Sequence, residues 1–326
     1  MNAYPLKFKA IFKDKIWGGQ KIGTILKKDY SPLPNCGETW ELSAVEGNVS
    51  IVDNGELAGE PLDRVIAAHR NEILGSSVVK KFGDEFPLLI KFIDAKEDLS
   101  VQVHPDDELA QVRHQGKGKT EMWYILQADA DASLIAGFNQ PMDKTSYLDH
   151  FNKGALNNVL NRVSVHAGDV FFIPAGRIHT IGKGILLAEI QQTSDITYRI
   201  YDFDRIDAEG NKRQLHTQEA LDALDYKYYD TYKTPYTSGV NKRISLVQAE
   251  YFTTNKFELD QPLGLDYAKL DSFVIHIFTK GQGHLKYGDG EEAVKMGDVY
   301  LLPATMKQIQ IVPDGKLELL EVYVEA

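Results

Sequence analysis

A mainly β fold of two small barrels, with helical segments inserted between strands, is what the sequence predicts, and two observations predict it. The first is the rhythm of the chain, which reads as apolar or β-rich runs of strand length punctuated by Gly, Pro and Asp. The second is an internal repeat. Residues 168–179 read GDVFFIPAGRIH and residues 297–308 read GDVYLLPATMKQ, so Gly168, Asp169, Val170 and Pro174 match Gly297, Asp298, Val299 and Pro303. A Gly-Asp turn, a strand and a Pro bend into another strand form a recurring hairpin of jelly-roll barrels, and two copies predict two barrels. Where the first copy carries His179, the second carries Gln308.

Taken in order, strands are expected over 88–94, 99–103, 122–127, 170–173, 185–191 and 197–201, and then over 273–279, 283–287, 299–302, 308–312 and 317–324. Helices are expected over 63–74, where Val65, Ile66, His69 and Ile73 form one stripe, over 143–163, and over 216–224. They do not alternate regularly with the strands, which argues against a doubly wound parallel sheet. The turn-rich stretch KTPYTSG at 233–239 marks the boundary: a first domain over 1–238 carrying the helical insertions, and a second barrel over 239–326.

Composition narrows the function. With 36 Lys and Arg against 47 Asp and Glu, the net charge is −11. This argues against a broad footprint for nucleic acid or an anionic membrane, while a small anion held by a few local cations stays compatible. The lone cysteine, Cys36, allows no intrachain disulfide and suits a reducing compartment. Apolar runs are too short to span a bilayer, and the N-terminus interleaves Lys with apolar residues without a signal-peptide core. The expectation is a soluble, cytoplasmic protein.

Three segments carry chemistry. In LSVQVHPDD (99–107), alternation puts Ser100, Gln102 and His104 on one face and Val101 and Val103 on the other. In KTEMWYIL (119–126), Lys119 and Glu121 share a face, and a carboxylate in so apolar a strand is costly to bury unless paired or bound to a metal. In PAGRIHT (174–180), His179 follows a Pro-Gly bend. Two histidines, a carboxylate and a carboxamide from separate strands would make a mononuclear N/O site; zinc suits it, and manganese, iron or cobalt use the same ligand types. Further on, Glu189 and Gln191 alternate onto one face before a turn containing Asp195, and Thr197, Arg199 and Tyr201 share a face on the next strand. Arg199 either holds a phosphate bidentately or pairs at the surface with Asp202 or Asp204. Lys91, inside PLLIKFIDA, either reaches the rim or faces a polar cavity.

Other signals are negative. The chain has no G-x-G-x-x-G motif after a strand and no P-loop spacing. The stretch QGKGK at 115–119 reads as a flexible turn. His69, His150, His166, His216, His276 and His284 lack metal-ligand spacing and read as structural or solvated.

Together these segments resemble type I mannose-6-phosphate isomerases, in particular the short bacterial members built from two cupin barrels with helical insertions. The resemblance runs from Trp17-Gly18-Gly19 through GETWELS (37–43), QVHP, KTEMWY and PAGRIH to SDITYRIYDFDR, most of the first 205 residues. It implies a single metal ion, normally zinc, held by Gln102, His104, Glu121 and His179, an active-site Arg199, and substrate-facing positions at Ser100, Lys91 and Lys119. Asp195 lies between Glu189 and Arg199 and is assigned to substrate binding. The second barrel is expected to be degenerate and metal-free. The implied reaction interconverts mannose 6-phosphate and fructose 6-phosphate by proton transfer through an enediol-type intermediate. Glu189 and Lys119 are the candidate proton carriers, and Arg199, with Lys91 and Ser100, the candidate phosphate anchor. A cupin enzyme acting on another sugar phosphate, an oxygenase, or a non-catalytic sugar sensor are the alternatives.

Overall fold

The computed structural model describes residues 3–206 and 210–325. The N-terminal half supplies two antiparallel sheets that face one another. One runs Ile11–Lys13, Glu38–Leu42, Leu88–Ala95, Ile185–Gln192, Glu121–Ala128, Val170–Ile173; the other runs Tyr198–Tyr201, Val101–Val103, His179–Thr180, Ser133–Phe138, Leu160–Ser164. The C-terminal half repeats the arrangement with a six-stranded and a four-stranded sheet. We propose the boundary between residues 238 and 239, because every described strand from Ile244–Gln248 onward belongs to this second pair of sheets. Among the described strands, one crosses it: Leu6–Lys7 pairs with Val299–Leu302.

The repeat has a physical basis in both copies. Gly168 and Gly297 each sit at φ +90°, a conformation that side chains resist. Asp169 and Asp298 each accept a hydrogen bond from the backbone N–H three residues earlier, of His166 and Lys295, closing the turn. The strands Val170–Ile173 and Val299–Leu302 follow directly.

Alternation divides the core. The outward residues of the first barrel's six-stranded sheet, among them Met122, Tyr124, Ala188 and Ile190, pack against Ile275, Ile277, Leu320 and Val322 of the second. The inward residues Trp123, Ile125, Leu187 and Phe171 fill the first barrel. Phe257, Phe278, Leu319 and Leu302 fill the second. Val101 and Val103 turn away from the barrel interior and are covered by Tyr147, Ala220 and Leu221 from the inserted helices Lys144–Asn152 and Thr217–Ala223. The pattern read from LSVQVHPDD is thereby realised, with the polar face left to the interior.

The helix expected over 143–163 is a correction. Asp143 does cap a helix, but that helix ends at Asn152, and Gly154 at φ +66° breaks it. The chain resumes as a 3₁₀ turn, Leu156–Asn158, and the strand Leu160–Ser164, whose alternating burial matches a strand period. Among the described residues, no helix is long and apolar enough to cross a membrane.

Candidate active site

Two rows of side chains face each other inside the first barrel. Across the six-stranded sheet, Trp40, Lys91, Glu189 and Trp123 are successive register partners. Glu121 lies two residues before Trp123 and so shares its face. Across the five-stranded sheet, His179, Gln102 and Arg199 are successive partners, and His104 lies two residues beyond Gln102. Strand alternation and register therefore bring together residues more than a hundred positions apart.

His104, Glu121 and His179 converge, with one ligand atom of each within 4.8 Å of the others. His104 and His179 are turned the same way: each Nδ1–H donates to a backbone carbonyl, of Ile196 at 2.9 Å and of Arg177 at 2.8 Å, which leaves both Nε2 lone pairs aimed inward. Gln102 reaches the same point, its amide 3.2 Å from His179 Nε2. His104 Nε2 and both Glu121 carboxylate oxygens are buried without a hydrogen-bond partner among the described residues. Orphaned buried acceptors of this kind are expensive unless a cation takes them. Burial, then the Glu189 charge, pushes the Glu121 carboxyl up; burial, then Lys119, holds His104 well below the ordinary imidazole value, and burial brings His179 down to about 4. Neutral imidazoles converging on a buried carboxylate fit a divalent metal ion.

Beside this cluster opens a cleft of about 320 Å³, lined on one side by Trp17, Glu38, Trp40 and Lys91 and on the other by Ser100, Gln102, Asp195 and Arg199. Five cations reach it (Lys15, Lys91, Lys119, Arg199, Arg213) against three carboxylates, Glu38, Glu189 and Asp195. In a chain of net charge −11 this is a local reversal of sign. Lys91 Nζ lies 3.1 Å from Glu189 Oε1 and 5.2 Å from the centre of the Trp40 ring, while Trp123 Nε1 donates to Glu189 Oε2 at 2.9 Å. Burial opposes the Glu189 charge, but Lys91 and Lys119 outweigh it and hold the carboxyl below its usual range. Glu38 behaves alike: burial opposes ionisation, Lys91 and Lys15 prevail, and its pKa falls to about 2. Lys119 is buried with Nζ 3.4 Å from Glu121 Oε2.

Comparison with known proteins decides what family builds such a site. The family model "Phosphomannose isomerase type I, catalytic domain" matches residues 6–130, and "Mannose-6-phosphate isomerase, cupin domain" matches residues 242–324. The mannose-6-phosphate isomerase of Streptococcus mutans is 37% identical over 98% of this chain and 98% of its own length. Mannose-6-phosphate isomerase ManA of Bacillus subtilis is 36% identical over 95% and 96%. This chain belongs to the type I phosphomannose isomerase family. The crystal structure of the mannose 6-phosphate isomerase from Bacillus subtilis superposes with a TM-score of 0.89 at 35% identity, covering 98% of this chain and 99% of that one. The cupin fold expected from the sequence is the fold of the family, as is aldose–ketose isomerisation.

The ten residues assigned from the sequence to the metal, the substrate or catalysis lie in or against this cleft. Ser100, Lys91, Lys119, Glu189, Asp195, Arg199 and Gln102 line it, and His104, Glu121 and His179 form the adjoining cluster. Lys91 faces the cavity rather than the rim. Arg199 is not a surface ion-pair residue: Asp202 is taken by Arg205 and Arg213, Asp204 by Lys212, and Arg199 Nη1 instead donates to the Gln214 carbonyl at 3.0 Å. His216, read as structural or solvated, lines the cleft, and its Nδ1 accepts the Arg199 backbone N–H at 3.2 Å. Lys15, Glu38, Trp40 and Arg213 were missed. Alternation in ETWEL would have put Glu38 and Trp40 on one face, but nothing in the sequence said that this strand borders Lys91.

Proposed function

We propose that this chain interconverts mannose 6-phosphate and fructose 6-phosphate in the cleft of the first barrel. The observation that carries the reading is a cationic cleft opening directly onto three buried, mutually adjacent ligand groups, His104, Glu121 and His179, in a chain of this family. The likeness over nearly the full length to enzymes named for mannose 6-phosphate supports the substrate.

His104, Glu121 and His179, joined by the Gln102 carboxamide, would hold one divalent ion, with zinc the ion their chemistry suits. Turning the Gln102 amide by half a rotation exchanges N for O at the same place. Such an ion supplies Lewis-acid polarisation of the sugar carbonyl. Arg199 offers its planar fork to the phosphate, with Lys91 and Ser100 beside it, and Asp195 at the mouth accepts from sugar hydroxyls. Phosphate binding orients the reacting carbons, which lowers the entropy cost of the proton transfer. Glu189 is engaged at both oxygens by Lys91 and Trp123. Lys119, whose ammonium lines the cleft beside Glu121, is thus the better placed proton carrier, and Glu189 the charge that holds Lys91 in position. The single cysteine, Cys36, is buried and suits a cytoplasmic setting.

A coupled assay that detects fructose 6-phosphate tests the substrate. Turnover of mannose 6-phosphate is expected; turnover confined to another aldose phosphate would overturn the assignment.

A further inference from the structure

The stretch QGKGK, which reads as a flexible turn, is pinned where it enters the active-site strand. Three consecutive backbone N–H groups are taken: Gly118 donates to Asp107 Oδ1 at 2.7 Å, Lys119 to the Pro105 carbonyl at 3.1 Å, and Thr120 to Gln192 Oε1 at 2.8 Å. The two acceptor side chains are themselves joined, since Gln192 Nε2 donates to Asp107 Oδ1 at 3.0 Å. Gln192 is buried, and its own N–H returns to the Thr120 carbonyl at 3.1 Å. The approach is close: a Cβ on Gly118 would lie 2.5 Å from the Asp107 nitrogen. The other oxygen of Asp107 accepts from the Tyr251 hydroxyl at 2.7 Å, and Tyr251 belongs to the C-terminal barrel.

We propose that Asp107 and Gln192 are positioning residues for Lys119: together they clamp the backbone of residues 118–120 and so set where the Lys119 ammonium sits, with Tyr251 bracing Asp107 from the second barrel. Neither clamp residue is a metal ligand, and neither needs to touch substrate. The clamp gives the C-terminal barrel a role in the chemistry of the first, carried by one hydroxyl. The inference rests on the reading of Lys119 as proton carrier.

A double-mutant cycle on the metal-loaded enzyme tests it. Asp107→Ala should lower kcat roughly ten- to hundredfold, the scale of a small misplacement at a reacting centre, with KM for mannose 6-phosphate and metal content unchanged. Asp107→Asn keeps the Oδ1 acceptor and should restore most of the rate. In a Lys119→Arg background, Asp107→Ala should cost little more. Tyr251→Phe, which removes only the hydroxyl of a half-buried ring, should lower kcat about two- to fivefold, the weight of one hydrogen bond. Unchanged kcat in both Asp107→Ala and Tyr251→Phe, or an equal fold-loss in the parent and Lys119→Arg backgrounds, overturns the clamp. A Lys119→Arg enzyme as fast as the parent instead overturns the reading of Lys119 itself.

Discussion

Lys91 and Glu189 stand directly opposite one another on adjacent antiparallel strands, with the ammonium 3.1 Å from the carboxylate and both side chains buried. Lys91 is also the chief charge that keeps Glu38 ionised against burial. One cation thus compensates two carboxylates in a site that must hold a dianionic substrate. Removing it by Lys91→Met should cost about 3–5 kcal/mol of stability, because buried Glu189 loses its ion-pair partner and Glu38 its largest neighbouring charge, though Glu38 keeps Lys15. The Lys91→Met/Glu189→Gln double variant should recover much of that loss. Urea denaturation checks both, and a Lys91→Met chain as stable as the parent would show that the pair is not ionised.

Arg199 is expected to serve the phosphate. Arg199→Lys replaces a planar fork by a point charge and should cost about ten- to hundredfold in kcat/KM, the weight of a charge-assisted hydrogen bond or two. Metal content should not change, because Arg199 is a register partner of Gln102 but not one of the converging ligand groups. Comparing mannose 6-phosphate with unphosphorylated mannose checks the role: the variant should lose far more on the phosphorylated sugar, and equal losses would move Arg199 to the reacting carbons.

The proposed metal set, His104, Glu121, His179 and Gln102, predicts an asymmetry between its two acyl members. Glu121→Gln removes the only anionic ligand and should weaken metal binding by more than about a hundredfold, beyond what losing an outer-shell partner costs. Gln102→Glu should retain or tighten binding while slowing turnover, since a second carboxylate quenches the positive charge of the centre. Metal content after dialysis checks this, and equal retention in the two variants would show that Glu121 is not a ligand.

The site was legible where chemistry and alternation coincide. Gln102 with His104, and Lys119 with Glu121, announce themselves as polar groups at every second position of apolar runs, and period-two geometry puts each pair on one face of its own segment; His179 stands out by following a Pro-Gly bend. Glu38 and Trp40 obey the same rule, yet their importance depends on the pairing of Glu38–Leu42 with Leu88–Ala95, a contact some fifty residues away that no local pattern encodes. His216 entered the cleft through its bond to the Arg199 backbone, again a non-local fact. The strand Leu160–Ser164 reads as helix in the sequence because LNNVLNRV, residues 156–163, satisfies both periods over so short a run, and Gly154 decides between them.

The second barrel has a pH signature of its own. His276 is fully buried, its Nε2–H donating to the Tyr267 hydroxyl at 3.0 Å, which donates in turn to Glu321 at 2.7 Å. Burial outweighs the Glu321 charge and lowers the imidazole pKa to about 4, so the unfolded chain protonates first as pH falls. The stability from this group is full above the unfolded value of 6.5, declines as pH falls below it, and is lost by about pH 4, on the order of 3 kcal/mol in all. His276→Asn should flatten the stability curve between these values relative to the parent. Parallel curves for parent and variant would show that His276 does not stay neutral in the fold.

The most direct measurement is turnover of mannose 6-phosphate by chelator-stripped protein, shown metal-free by elemental analysis, and then by the same protein titrated with zinc. The converging His104, Glu121 and His179, with Gln102, predict negligible turnover in the stripped chain, which stays folded but melts earlier, and recovery that saturates at one ion per chain. Full turnover in metal-free protein would contradict the account.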